Sequence, residues 1–244
     1  MKKVTLANIP VLYEDASCIV LDKPAPLLTI PDRYNHAENN LAALLREKFT
    51  DIFVVHRLDR ETSGVILFAK DAEAHKKLCA AFEDRLVRKK YLAIVNGTPK
   101  ETKGIIELAL QEHPAKKGGM IVSKKGKESV TEFSVLESLG NFSLVEASPL
   151  TGRTHQIRVH LHAIGHPLAV DPVYGTRKEF FLSEIKRKFK YTKYTDEKPL
   201  VSRCTLHSCS LTFPHPISGE MITVESPLPK DLNALLAQLR KKKK

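Results

Sequence analysis

Two short segments concentrate side chains that could do chemistry. The first precedes the apolar run 65–69 and has the sequence His56-Arg57-Leu58-Asp59-Arg60-Glu61-Thr62-Ser63-Gly64. Loops beside buried strands often carry catalytic groups. The neighbouring arginines favour an ionised Asp59 even beside phosphate groups, because guanidinium charges stabilise the carboxylate. Asp59 is therefore a candidate catalytic carboxylate, although an Asp in a loop more often only caps backbone N–H groups.

The second segment is Thr151–His160, which reads TGRTHQIRVH. Apolar spacing predicts a helix over 154–164, with Ile157 and other aliphatic residues on one face. The spacing places His155, Arg158 and His162 on another face of this helix. Such a helix can present a stripe of His and Arg to a cleft. The alternative is an ordinary amphipathic helix whose basic side is solvated.

The sequence favours a reaction that uses neither a metal nor a cofactor. Four histidines crowd into 155–166, but no Cys-x-x-Cys pair or H-E-x-x-H motif accompanies them, so a zinc site is not predicted. The glycine-rich motifs of nucleotide hydrolysis and of dinucleotide binding are absent, as is the G-x-S-x-G motif of serine esterases. What remains is carboxylate chemistry.

The charge of the chain indicates a polyanionic partner. The 244 residues include 39 Lys+Arg against 28 Asp+Glu, which gives a formal net charge of +11. Basic residues cluster at 116–127, at 177–198 and in the tail 240–244. The second cluster is mixed with aromatic residues, which suits contacts with phosphates and bases: Phe180, Phe181, Phe189, Tyr191 and Tyr194. We therefore expect RNA or DNA as the partner.

Hydrophobic patterning predicts the elements that hold these segments. The pattern favours one α+β domain on a mixed sheet, with 176–200 as a basic insertion. Helices are predicted at 38–48, after Asp71 with an apolar face from Ala74 to Leu86, at 154–164 and at 229–240. Strands are predicted at 18–22, 65–69, 91–95, 104–110, 120–123, 129–137, 142–150, 206–213 and 220–225.

Cellular location follows from what the sequence lacks. No segment approaches the roughly 18 uncharged apolar residues of a membrane helix. The N-terminal apolar stretch is interrupted by Asn8 and Pro10, which is unlike a secretory signal. The four cysteines are too scattered for a disulfide scaffold. We therefore expect a cytoplasmic protein without membrane association.

The motifs resemble those of the RluA family of RNA pseudouridine synthases. Residues 56–64 match the signature HRLDxxTSG, and 151–160 match TGRxHQIRxH. The order and spacing of the remaining motifs agree as well: Val20–Pro24 (VLDKP), Lys89–Gly97 (KKYLAIVNG), His166-Pro167 and Asp171–Gly175 (DPVYG). The resemblance implies the pseudouridine synthase fold, a catalytic domain over 1–240 on a largely antiparallel central sheet with flanking helices, followed by a basic tail, 241–244.

The resemblance also implies roles for individual residues. Asp59 takes the position of the essential catalytic aspartate, and Arg158 that of the arginine paired with it. Tyr91 matches the tyrosine that stacks on the target uracil and can help remove the C5 proton. Arg57 matches the arginine beside the flipped nucleotide, and Ile157 an apolar position below the base. We expect further RNA contacts from His56, Arg60, Arg153 and His155.

The implied reaction breaks the N1–C1′ bond of uridine and joins C5 to C1′, so no cofactor is required. Attack of the carboxylate on C1′ and removal of the 2′ proton to give a glycal-like intermediate both remain open. The target base must be flipped or already unstacked. Because Asp59 lies early in this chain, we expect it to lack the S4-like domain that precedes the catalytic domain in many relatives. We expect a monomer that acts on rRNA or tRNA without an obligate protein partner.

Two alternatives remain. A non-catalytic RNA-binding or RNA-folding factor could retain the fold, although such a protein would be free to lose Asp59, Tyr91 or Arg158. An N-glycosidase could use Asp59 and Glu61 as a carboxylate pair. The product formed from uridine-containing RNA separates the three classes, because only the glycosidase leaves an abasic site.

Overall fold

The computed structural model describes residues 4–32, 38–186 and 197–243. Part of the predicted basic insertion, 187–196, lies outside the described residues, and so do Phe189, Tyr191 and Tyr194. Lys244, the last residue of the predicted tail, also lies outside them.

Strands and helices mix along the described chain. The α-helices are α1 (Leu41–Arg46), α2 (Ala72–Glu83), α3 (Gln156–Ala163) and α4 (Lys230–Lys243), and short 3₁₀ helices occupy Leu6–Asn8 and Leu182–Glu184. The strands are β1 (Val11–Glu14), β2 (Cys18–Lys23), β3 (Phe53–Val54), β4 (Ser63–Ala69), β5 (Arg88–Asn96), β6 (Lys103–Glu107), β7 (Leu110–Glu112), β8 (Met120–Val122), β9 (Val130–Ser138), β10 (Phe142–Pro149), β11 (Leu206–Pro214) and β12 (Met221–Glu225).

The chain forms two compact units, the first made of 1–90 with 207–227 and the second of 91–206 with 228–244. In the first unit, β2 pairs antiparallel with both β1 and β4. Strand β4 also pairs with β3 and, in parallel, with β11, which continues antiparallel into β12. All of β4 is buried, as the unbroken apolar run 65–69 predicts for most of its length.

Gly64 allows β4 and β11 to approach each other closely. Its φ is +112°, and a Cβ at this position would collide with the backbone of Ser208. Only glycine tolerates both the conformation and the contact. The last residue of the HRLDRETSG segment is therefore required by the sheet that follows the loop.

Helix α2 covers the core of the first unit. Asp71 caps it as predicted, with its carboxylate accepting the Ala74 N–H at 2.7 Å. Ala74, Leu78 and Ala81 pack into a cluster with residues of β2 and β4. The predicted apolar face extends too far, because the helix ends at Glu83 and the left-handed Arg85 turns the chain. Leu86 is consequently 54% exposed.

In the second unit, β5, β10, β9 and β6 pair antiparallel in that order, and β7 forms a hairpin with β8. The predicted strand 104–110 divides into β6 and β7, because the chain leaves β9 and Leu110 pairs instead with Lys127 and Val122. Helix α4 buries four leucines of its apolar face, Leu232, Leu235, Leu236 and Leu239, and it continues to Lys243. Burial of each leucine is worth about 1.5–3 kcal/mol.

The predicted α+β class is confirmed. Within the two units the strand pairs are antiparallel except β4 with β11, which makes the strand arrangement mixed but largely antiparallel. Among the described residues, no helix combines the length and the apolar character that crossing a membrane requires.

Candidate active site

The loop between β3 and β4 presents Asp59. Asp59 is half-buried, and its backbone carbonyl accepts the N–H of Thr62 at 3.1 Å, which closes a tight turn. On one side, the Thr29 hydroxyl donates to the Leu58 carbonyl at 2.9 Å and accepts the Leu58 N–H at 3.1 Å. Hydrogen bonds to the backbone of Leu58 and Asp59 thus fix the position of the Asp59 Cα, from which the carboxylate extends.

The other side of Asp59 is held by a buried lysine. Lys23 is 0% exposed, and its ammonium group donates to the carbonyls of Leu27 at 2.7 Å, Pro24 at 3.2 Å and Arg60 at 3.3 Å. The Leu27 N–H also donates to the Arg60 carbonyl, at 3.1 Å. A buried ammonium needs such partners to offset its lost hydration. The lysine of the VLDKP motif therefore positions the loop, a role that the sequence analysis missed.

His56 anchors the start of the loop. Its Nε2 accepts the Leu67 N–H of β4 at 3.0 Å, and its ring stacks on Phe82 of α2 with a centroid distance of 4.9 Å. Burial and, to a smaller extent, the positive charge of Lys89 lower the pKa of His56 to about 3. The imidazole is therefore neutral at physiological pH. These contacts give His56 a positioning role, and its contact with RNA stays a prediction.

This pKa of His56 predicts that acid destabilises the protein. The unfolded chain takes up a proton at this histidine near pH 6.5, whereas the folded chain does so only near pH 3, so stability falls as the pH falls between these values. In His56→Gln the amide oxygen can still accept the Leu67 N–H, but the side chain does not titrate. When the pH is lowered from 7 to 5, we expect the free energy of unfolding to fall by about 1–2 kcal/mol more in wild type than in this variant. Urea unfolding at both pH values measures this difference, and equal losses in the two proteins would contradict it.

The arginines of the loop are available to solvent. Arg57 is exposed. The side chain of Arg60 is 50% exposed, with Nη2 at 2.8 Å from Glu38 and Nε at 3.8 Å from Glu61. Exposed ion pairs of this kind contribute little stability, so Arg60 can exchange its carboxylates for a phosphate at small cost.

Arg158 is held by Asp171 in the second unit. Its Nε donates to Oδ2 and its Nη2 to Oδ1, both at 2.8 Å, and the two side chains are 4% and 1% exposed. Burial alone would raise the pKa of Asp171, but Arg158 and the N–H groups of Val173 and Tyr174 lower it below its usual value. The pair is therefore ionic, and it orients the guanidinium of Arg158.

The predicted polar stripe of α3 is thus divided: His162 is exposed, His155 is half-buried and Arg158 is buried. The alternative of a helix with a solvated basic side does not hold for Arg158, because its guanidinium binds Asp171 instead of water. The predicted start of the helix at Thr154 is also wrong. Gln156 begins the helix, and the preceding His155 has a left-handed backbone with φ 55° and ψ 16°.

Side chains around the helix start explain this geometry. The Gln156 carbonyl oxygen accepts the Thr151 hydroxyl at 2.7 Å and the Arg153 N–H at 3.0 Å, and its amide donates to the Val130 carbonyl at 2.9 Å. His155 Nδ1 lies 2.8 Å from the Tyr174 hydroxyl. The turn before α3 is therefore held partly by residues far along the chain, Val130 and Tyr174, which the helical spacing of apolar residues cannot predict.

The remaining predicted site residues have varied surroundings. Tyr91 lies on β5 opposite Ala147 of β10 and is 9% exposed. Ile157 is buried, in agreement with an apolar packing position. Arg153 is exposed, and its Nε donates to the Glu128 carbonyl at 3.2 Å. These residues belong to the second unit, and Asp59 belongs to the first.

Among the described residues, one group has the spacing of metal ligands: Asp15, Cys18 and His215, with ligand atoms within 4.8 Å of one another. Its chemistry does not fit a metal centre. Asp15 accepts the N–H groups of Ser17 and Cys18, the Tyr13 hydroxyl and the His215 ring. Burial and the nearby carboxylate raise the pKa of Cys18 to about 12, which keeps its thiol protonated. The cluster is a hydrogen-bond network that joins two turns.

Comparison with known proteins identifies the class. Residues 17–163, which include both long motifs, match the family model described as RNA pseudouridylate synthase. The human protein RNA Pseudouridylate Synthase Domain Containing 1 has a similar structure, with a TM-score of 0.69 and 28% identity over 98% of each chain. This chain therefore belongs to the RNA pseudouridine synthase family, which confirms the resemblance.

Several bacterial proteins are similar to this chain over nearly its whole length. Ribosomal large subunit pseudouridine synthase D of Nitrosomonas europaea is 38% identical over 95% of this chain and 65% of its own. Ribosomal large subunit pseudouridine synthase C of Haemophilus influenzae is 35% identical over 100% of this chain and 72% of its own. A Bacillus subtilis protein named as an uncharacterized RNA pseudouridine synthase, YlyB, is 35% identical over 96% of this chain and 74% of its own. The chain thus spans about two thirds to three quarters of these relatives.

Proposed function

We propose that this protein isomerises uridine to pseudouridine in RNA, with Asp59 as the catalytic carboxylate. The observation that carries the proposal is the turn that presents Asp59, held on both sides by Thr29 and Lys23 within a family signature. The reaction breaks N1–C1′ and forms C5–C1′, while the C5 proton is lost and N1 gains a proton. Its atoms therefore balance without an added reactant.

Tyr91 and Arg158 are proposed to serve the same reaction. Tyr91 would stack on the uracil and help remove the C5 proton. Arg158 would keep the catalytic carboxylate ionised, and the Asp171 pair supports this role because it orients the guanidinium without help from substrate. Arg57, which is exposed, is proposed to contact the RNA beside the flipped nucleotide.

The substrate is proposed to be rRNA or tRNA with the target uridine flipped out or already unstacked. The names of two relatives refer to the large ribosomal subunit, which supports rRNA. The protein is also proposed to act as a monomer in the cytoplasm, and its four cysteines, which are too scattered along the sequence for a disulfide scaffold, suit a reducing compartment. Mapping pseudouridines in RNA from cells with and without this gene tests the proposal, since a missing modification names both the RNA and the position. Unchanged maps would contradict it.

The excess of basic residues predicts strongly salt-dependent RNA binding. Each phosphate contact releases counterions, so three contacts would weaken binding by roughly 40-fold between about 50 and 200 mM salt. Filter binding with an RNA stem–loop measures this slope. Replacing the exposed Lys124 and Lys125 by alanine should make the slope shallower, whereas Lys76→Ala on α2 should leave it unchanged. An affinity that does not depend on salt would contradict a phosphate-contact model.

A further inference from the structure

A pocket of about 460 Å³ lies within the second unit. It is formed by residues of the β7–β8 hairpin, of α3 and of the DPVYG segment. Those that carry the argument are His113, Lys116, Met120, Val159, His162 and Tyr174. Among the described residues, the lining contains an amine, two imidazoles, a phenol and apolar side chains, but no acidic residue. It therefore suits a flat, partly apolar ligand that carries negative charge.

The pocket is preformed by hydrogen bonds. The Tyr174 hydroxyl accepts the Met120 N–H at 2.8 Å and lies 2.8 Å from His155 Nδ1, so it connects the hairpin to the start of α3. His113 Nδ1 accepts the N–H groups of Ala115 at 3.1 Å and Lys116 at 2.9 Å, which shapes the hairpin turn. Because Nδ1 accepts these two bonds, the Nε2 atom of the ring is the one that can donate a hydrogen bond.

One residue connects the pocket with the proposed active site. Tyr174 lines the pocket, and the guanidinium carbon of Arg158 lies 5.0 Å from the centre of its ring. The phenol therefore lies between the pocket and a residue assigned to the isomerisation. A ligand in this pocket would therefore lie next to a ring that contacts Arg158.

We propose that this pocket binds an unpaired nucleotide of the RNA substrate near the isomerised uridine. The proposal rests on the proposed function and adds to it a determinant of substrate choice. Aromatic and histidine rings stack on unpaired bases, and the volume falls within the range of small-ligand sites. Lys116, which is exposed and has Nζ at 3.2 Å from the Val173 carbonyl, would contact the phosphate.

Filling the pocket tests the proposal. Ala163 lines it and is exposed at the end of α3, so Ala163→Trp should occupy the space without disturbing the core. We expect this variant to bind its RNA about tenfold more weakly, since a stacked base is worth about that factor or more, and to raise KM more than it lowers kcat. Lys116→Ala should weaken binding as well. Ala80→Trp and Lys76→Ala, at exposed positions of α2, are the matched controls and should behave as wild type.

Abasic substitutions in the RNA identify the occupant. One abasic position near the target should weaken binding to wild type but cause no further loss with Ala163→Trp, because both changes remove the same contact. Unchanged affinity of Ala163→Trp, or additive losses at every abasic position, would overturn the proposal and leave the pocket to another occupant, such as a protein. Binding is measured by dissociation constant, so this result is independent of whether wild type forms pseudouridine.

Discussion

Asp59→Asn abolishes pseudouridine formation while RNA binding persists: this is the largest effect that we expect. The substitution removes the carboxylate but keeps the size of the side chain, and the turn depends on the backbone carbonyl of Asp59. Loss of an essential catalytic group typically lowers kcat by about 10⁴-fold or more. RNA that carries tritium at C5 of uridine measures the reaction, because joining C5 to C1′ releases the label to water.

Glu61→Gln is the matched control on the same loop. Of these two carboxylates, a pseudouridine synthase requires only Asp59, so this variant should retain activity, whereas a glycosidase built on both would lose it. The products separate the classes further. Free uracil and an abasic site from wild type would indicate the glycosidase, and RNA binding without any product would indicate a passive RNA-binding factor. Either result, or full activity of Asp59→Asn, would refute the assignment of Asp59.

Local patterns predicted most of the fold. The apolar run at 65–69 is the buried β4, and Asp71 caps α2 as its position suggests. Such features depend on neighbours within a few residues, and the sequence displays those neighbours directly. The signature around Asp59 was equally visible, because its residues are contiguous.

Long-range contacts were not predictable from these patterns. The sequence places Arg158 on a polar face of α3, but its actual partner, Asp171, lies 13 positions further along the chain. Periodicity also does not predict the partners of Lys23, whose ammonium group donates to the carbonyl of Arg60, 37 positions further along the chain. Each of these residues lies within a motif that carried the resemblance. Without coordinates, a motif shows that a residue is required but not which atom it binds.

Asp171→Asn should impair both stability and turnover. The substitution leaves the buried Arg158 without a compensating charge, and breaking such a pair costs about 3–5 kcal/mol. The guanidinium also loses the acceptor that orients it. If Arg158 acts on the catalytic carboxylate, we expect kcat per folded molecule to fall at least tenfold while KM for RNA changes little. Single-turnover kinetics combined with thermal unfolding separates the two effects.

A second ion pair, formed by a buried arginine and a partly exposed aspartate, supplies the control for Asp171. Arg203 binds Asp231 in the same unit with Nε–Oδ2 at 2.6 Å and Nη2–Oδ1 at 2.9 Å, yet neither residue belongs to a family motif quoted above. Asp231→Asn should lower the unfolding temperature without lowering kcat per folded molecule. Adding Arg158→Met to Asp171→Asn should restore part of the lost stability, because it removes the unpaired charge, but should not restore activity. If Asp171→Asn and Asp231→Asn lose the same turnover per folded molecule, Asp171 has only a structural role.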